Sequence, residues 1–169
     1  LPKLASGIDI LRNKVIVCLH FLVSDFMPSS LDYSEEYQFK VATLVVGAPS
    51  VICLISALSL YHLTDQIPKK TWIIVPNTKR MAIRGLRLLR QRDPKWDIGI
   101  VKQNGYCITS IERTLVESFC YSKIIGANTA IQALREALKK MTTGAKVYAM
   151  AEKMGVLHRL LPYLVATTS

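Results

Sequence analysis

Paired cysteines are missing from this chain, and with them the signature of a disulfide framework or a structural zinc site. Its four cysteines, Cys18, Cys53, Cys107 and Cys120, stand far apart in apolar neighbourhoods. They read as reduced core residues of a cytosolic protein. Histidine is scarce too: His20, His62 and His158 are isolated, and no spacing joins two of them into a metal site. A glycine-rich phosphate loop, a Gly-x-Ser-x-Gly elbow and a His-Glu-x-x-His pair are also absent, which leaves catalysis by a known motif unsupported. No enzymatic activity and no cofactor or metal are expected. A nuclease-like enzyme would have to draw on Glu112 and Glu117, which stand five apart on an expected helix and face different ways. No cleavable secretion signal, repeat or low-complexity tract is evident.

What the chain has is apolar bulk and positive charge. Its 169 residues are 50% hydrophobic, enough for a real core in one domain with a small appendage. Two apolar stretches imitate membrane signals. Residues 15–23 are too few to span, whereas 41–63 approach the roughly 20 that a span needs. The second is broken by Gly47 and Pro49, which suits a buried strand or turn running into a buried helix. A small basic protein anchored to a membrane through 41–63 is nevertheless one alternative.

The net charge of +10 is unevenly placed. Residues 1–68 carry −2 and residues 103–169 carry +4, whereas residues 69–102 carry +8, with ten basic against two acidic side chains. Lys79, Arg80, Arg84, Arg87, Arg90, Arg92 and Lys95 are therefore the candidate nucleic-acid-binding residues, because guanidinium groups bind phosphate oxygens bidentately and release counterions. Trp96 reads either as a ring for base stacking or as a core residue.

Local patterns lead to an α/β (α+β) fold with a small mixed sheet covered by several helices. Residues 1–30 form a truncated N-terminal segment or appendage, which retains at most a helix over 8–17, with a joint at Pro28-Ser29-Ser30. A helix over 33–46 opens on Glu35-Glu36 and turns Tyr37, Val41, Leu44 and Val45 inward. After the Gly47-Ala-Pro49 break, Ser50 is the expected N-cap of the next helix. Trp72-Ile-Ile-Val75 has the composition of an inner strand, and 83–92 reads as a strand rather than a helix. Asn104-Gly105 is a hairpin turn between strands at 97–102 and 106–109. Thr109-Ser-Ile-Glu112 has the form of a capping box that opens a helix to about Tyr121. Another helix is expected to start at Asn128 and to bury Ile131, Leu134, Leu138 and Met141. The last runs over 146–154 and ends at Gly155, with a continuation over 156–164.

Four segments, Ile52-Cys-Leu-Ile-Ser-Ala-Leu58, Leu63-Thr-Asp-Gln-Ile-Pro68, Trp72-Ile-Ile-Val-Pro76 and Ile111-Glu-Arg-Thr-Leu-Val-Glu117, occur in the order seen in one family. Over about residues 31–164 the chain resembles the AbiEi antitoxins of bacterial type IV toxin-antitoxin systems. The resemblance implies that 31–169 is a cytoplasmic, non-enzymatic antitoxin domain of α/β type that counteracts a nucleotidyltransferase-like toxin. It also implies transcriptional regulation through DNA binding by an N-terminal winged helix-turn-helix, which residues 1–30 are too few to build. Operator recognition by this chain is accordingly expected to be weak. Ser56, Thr64, Gln66, Glu112 and Arg113 match the family pattern most closely, with caps, turns and a buried arginine-carboxylate contact as their expected roles. The expected partners are nucleic acid, the toxin and a second copy of the chain, but no membrane.

Overall fold

The computed structural model describes residues 34–93 and 95–168. Cys18, His20, the helix expected over 8–17 and the joint at Pro28-Ser29-Ser30 lie outside the described residues.

Helix α1 (Glu35–Val46) begins on its two glutamates, whose charge complements a helix N-terminus. It buries Phe39, Ala42, Thr43 and Val46 instead of the expected stripe, and Tyr37 and Leu44 are 52% and 71% exposed. The inward face includes a threonine, and so is not the most hydrophobic one. Its hydroxyl donates to the Phe39 carbonyl at 2.9 Å, which satisfies it inside the core. Gly47, at φ +72°, then ends the helix.

Ser50 does not cap the next helix, contrary to expectation. Val51 and Ile52 first form a short strand, β1 (Val51–Ile52), and α2 (Leu54–Leu60) starts after Cys53 with no side-chain cap. These β-branched residues are fully enclosed at the middle of the sheet, and that burial outweighs the local capping signal. The run 41–63 is thus divided among α1, β1 and α2, and among the described residues no helix is long and apolar enough to cross a membrane.

Four more strands, β2 (Thr71–Pro76), β3 (Leu86–Gln91), β4 (Ile100–Gln103) and β5 (Tyr106–Thr109), complete a mixed sheet in the order β3-β2-β1-β5-β4. As expected, Trp72 to Val75 are all buried in an inner strand, antiparallel to β1 and parallel to β3. The expected hairpin is present too, with Gln103 opposite Tyr106 and Gly105 in the left-handed region at φ +94°. The remaining helices are α3 (Ile111–Cys120), α4 (Ser122–Ile125), α5 (Ala127–Lys140), α6 (Gly144–Lys153) and α7 (Leu157–Thr168). The described residues therefore form a mixed α/β fold.

Strand alternation sorts the core into two layers. On one face Phe39, Ala42 and Val46 of α1 pack with Ile52, Ile73, Val75 and Ile108. On the other, Cys53, Trp72 and Ile74 pack with Leu115, Phe119, Leu134, Val147 and Leu160 from the long helices.

Two expected helix starts shift. Ser110, not Thr109, caps α3, its oxygen accepting from the Arg113 amide at 3.3 Å. Thr109 stays in the sheet, where its hydroxyl lies 2.7 Å from that of Thr114. This one-residue shift dissolves the expected capping box. Helix α5 starts after Gly126, which leaves Asn128 exposed inside the first turn. Its buried face is Thr129, Ala130, Ala133, Leu134 and Ala137, with Ile131 and Leu138 at the margin and Met141 exposed. Three alanines let α5 approach its neighbours closely, so small residues rather than large ones mark the contact. Gly155, at φ +71°, follows the end of α6 as expected.

Candidate functional site

The basic block occupies the outer edge of the sheet, but it is not one surface. In the parallel register of β2 and β3, Arg87 pairs with Trp72 and Arg90 with Val75. Trp72 belongs to the helix-covered face and Val75 to the α1 face. Arg87 and Arg90, three apart in a strand, therefore leave the sheet on opposite sides.

Most of these cations also have internal partners. The Arg87 guanidinium carbon lies 4.3 Å from the centroid of the Trp72 ring, a cation–π contact. Arg90 donates through Nε to the Lys79 carbonyl at 2.9 Å and through Nη2 to the Met81 carbonyl at 2.7 Å. Lys79 directs its ammonium to the Val46 carbonyl at 2.9 Å and to that of Gly47, so it closes the C-terminal end of α1. Arg80, Arg84 and Arg92 are exposed. Trp96 packs against the helical core, which gives it the role of a core residue.

Beyond the end of β3 the chain forms a recess of about 420 Å³. It brings together Arg90, Arg92 and Lys95 from the expected set and adds Arg159 of α7. Nothing in the sequence marks Arg159, because only the packing of α7 delivers it here. Lys79, Arg80, Arg84 and Arg87 are not part of this recess. Arg87 instead lines a second one, of about 320 Å³, with Lys69, Lys70, Trp72 and Ile67, the last 88% exposed.

Arg113 and Glu117 line the first recess and are 1% and 2% exposed. Arg113 Nε donates to Glu117 Oε1 at 3.0 Å, and its Nη1 donates to the carbonyls of Lys95 at 2.8 Å and Ile98 at 2.5 Å. The arginine thus ties α3 to the loop that follows β3. The other oxygen of Glu117, Oε2, is buried without a hydrogen-bond partner among the described residues. Burial pushes the Glu117 carboxyl above the usual carboxylate range, although the Arg113 charge and hydrogen bond oppose the shift. Lys95, at φ +49°, holds a backbone conformation uncommon for a residue with a side chain, and its ammonium donates to the Met154 carbonyl at 3.3 Å. Burial also raises the Cys120 thiol in the recess, against the influence of the neighbouring Arg159.

The remaining residues of the resemblance have structural partners. Buried Ser56 accepts from the Trp72 amide at 2.9 Å, and the Thr64 hydroxyl accepts from the Gln66 amide at 3.2 Å. Gln66 Nε2 reaches the Thr129 hydroxyl at 2.9 Å, which fastens the 64–68 loop to α5. Glu112 accepts from the Thr142 hydroxyl at 2.7 Å. Burial alone would raise the Glu112 carboxyl, but hydrogen bonds from Thr142, its own amide and Ser110, together with the Lys146 charge, bring it below the usual range. Glu112 and Glu117 thus serve different contacts.

No protein-family model matches the chain, and no curated protein matches it.

Proposed function

We propose that this chain is the antitoxin domain of a bacterial type IV toxin-antitoxin pair, a cytoplasmic, non-enzymatic regulator that counteracts a nucleotidyltransferase-like toxin and touches nucleic acid through its basic side chains. One observation carries the reading: the four segments of the family resemblance, scattered over residues 52–117, supply one hydrophobic core, with Leu54 and Leu58 from the first, Leu63 from the second, Trp72 and Ile74 from the third and Leu115 and Val116 from the fourth. Ser56 of the first segment holds the Trp72 amide of the third. The second segment is fastened through Gln66. Arg113 and Glu117 of the fourth form the buried pair. The segments that carry the resemblance thus form the framework of the domain, as a shared fold would require.

The nucleic-acid part rests on the +8 charge of residues 69–102 and on the exposure of Arg80, Arg84 and Arg92. Co-expression with a nucleotidyltransferase-like toxin of this class tests the function. Restored growth is the expected outcome. Persistent growth arrest in cells that accumulate folded chain would refute the antitoxin reading.

A further inference from the structure

We infer that the recess beyond β3 is a binding site for a terminal phosphate monoester, the end of a nucleic-acid strand or a mononucleotide, held by Arg92, Lys95 and Arg159. This deepens the nucleic-acid part of the function proposed above.

The inference rests on convergence. Arg92 and Lys95 come from the loop that follows β3, and Arg159 comes from α7. The acidic residues on the same wall are Asp93, whose carboxylate accepts from the Lys95 amide at 3.3 Å, and Glu117, whose charge is matched by Arg113. Among the described residues of the wall, Arg92, Lys95 and Arg159 outnumber the one carboxylate without a cationic partner, Asp93, so positive charge is in excess. Cations that converge from separate elements repel one another, and an anion placed among them relieves that repulsion.

The shape selects the kind of anion. A duplex backbone offers diesters of single charge on a convex, rigid surface, which suits a flat basic face. A recess of about 420 Å³ falls within the roughly 300–1,000 Å³ of small-ligand sites. A monoester carries about −1.5 to −2 charges at neutral pH and three acceptor oxygens open to donors on several sides. Donors from the loop after β3 and from α7 match that geometry.

The wall is also held in place before any ligand arrives. Arg113 holds the Lys95 carbonyl from below, while Met154 holds the Lys95 ammonium across the recess. Lys95 keeps its left-handed backbone within these ties, as residues at ligand clamps do when their surroundings over-determine them. Such bracing lowers the ordering cost of binding.

The test is fluorescence anisotropy at fixed salt with 3′-labelled single-stranded pentathymidylate, with and without a 5′ phosphate. The phosphorylated strand is expected to bind at least tenfold tighter. Arg92→Gln together with Arg159→Gln should abolish that advantage, whereas Arg84→Gln, outside the recess, should preserve it. Thymidine 5′-monophosphate as competitor separates the two sources: displacement assigns the recess to mononucleotides as well as strand ends, and no displacement assigns it to strand ends. Equal affinity for the two strands, or an advantage that survives in the double variant, overturns the inference. Salt-sensitive binding of both strands without preference would do so while leaving the general nucleic-acid reading intact. Circular dichroism of the double variant guards against misfolding, and single Arg92→Gln, at an exposed position, gives the same readout if the pair does not fold.

Discussion

Arg113 is a charged side chain that the fold encloses almost completely, and its surroundings explain why that is tolerated. Its guanidinium has a carboxylate and two carbonyls as acceptors. Removing it leaves Glu117 buried without compensation, a change that typically costs about 3–5 kcal/mol. Arg113→Met is therefore expected to destabilise the domain by about that amount, and adding Glu117→Met should restore part of the loss. Urea unfolding of both single variants and the double variant measures this coupling, and simple additivity would contradict the pairing. Glu117 also sets a pH dependence. Its folded-state pKa lies above the unfolded value, so the stability it contributes is fully present below the unfolded value and is lost as pH rises through the folded one. Glu112, with its pKa lowered, acts in the opposite sense: its contribution is present above the unfolded value and lost as pH falls through the folded one. Glu117→Gln should flatten the decline on the alkaline side of the carboxylate range, as urea midpoints across pH would reveal. An unchanged profile would place the titration elsewhere.

Elements with a complete local signal were legible in the sequence, and those decided by tertiary packing were not. Strand β2, the Asn104-Gly105 hairpin and the Gly155 stop each follow from a few adjacent residues. The face of α1, the existence of β1 and the cap of α3 depend instead on burial created by distant segments. Ser110 and Thr109 are both capable caps, and the sheet decides between them by retaining Thr109. The candidate site behaves similarly. The basic run was visible in the sequence, yet strand alternation divides it between two faces, and Arg159 joins the recess only through α7. The i,i+4 spacing of Arg113 and Glu117 was the available signal for the buried pair. The loop leading into β4 depends on Gly99, at φ +59°, where an added Cβ would come within 2.9 Å of the Arg113 Cβ and 3.0 Å of the Met150 Cε. Gly99→Ala is expected to cost at least about 2 kcal/mol through strain and clash together. Gly85→Ala, at φ +80° with nothing within 4 Å, should cost less. Comparable losses in thermal unfolding would show that backbone strain alone matters.

For the molecule as a whole, the arrangement of charge limits how it meets a polyanion. Each duplex phosphate contact adds about −0.9 to the slope of log affinity against log salt. Arg87 and Arg90 emerge on opposite faces, so one duplex cannot use both together with Arg84. Neutralising all three should flatten the slope by about 0.9 to 1.8, the equivalent of one or two contacts. A larger change, measured with random-sequence duplex over a salt series, would mean that the three side chains gather on one surface after all.

The same two arginines govern how sheets can join. Among the described residues, strand β3 is one of the two edges of the sheet, and a strand edge is a template for another chain. If two copies were joined through β3, arginines from each would be drawn together along the seam, and their repulsion would oppose every added strand. That edge is thus guarded by charge, and two copies of this chain would not join β3 to β3.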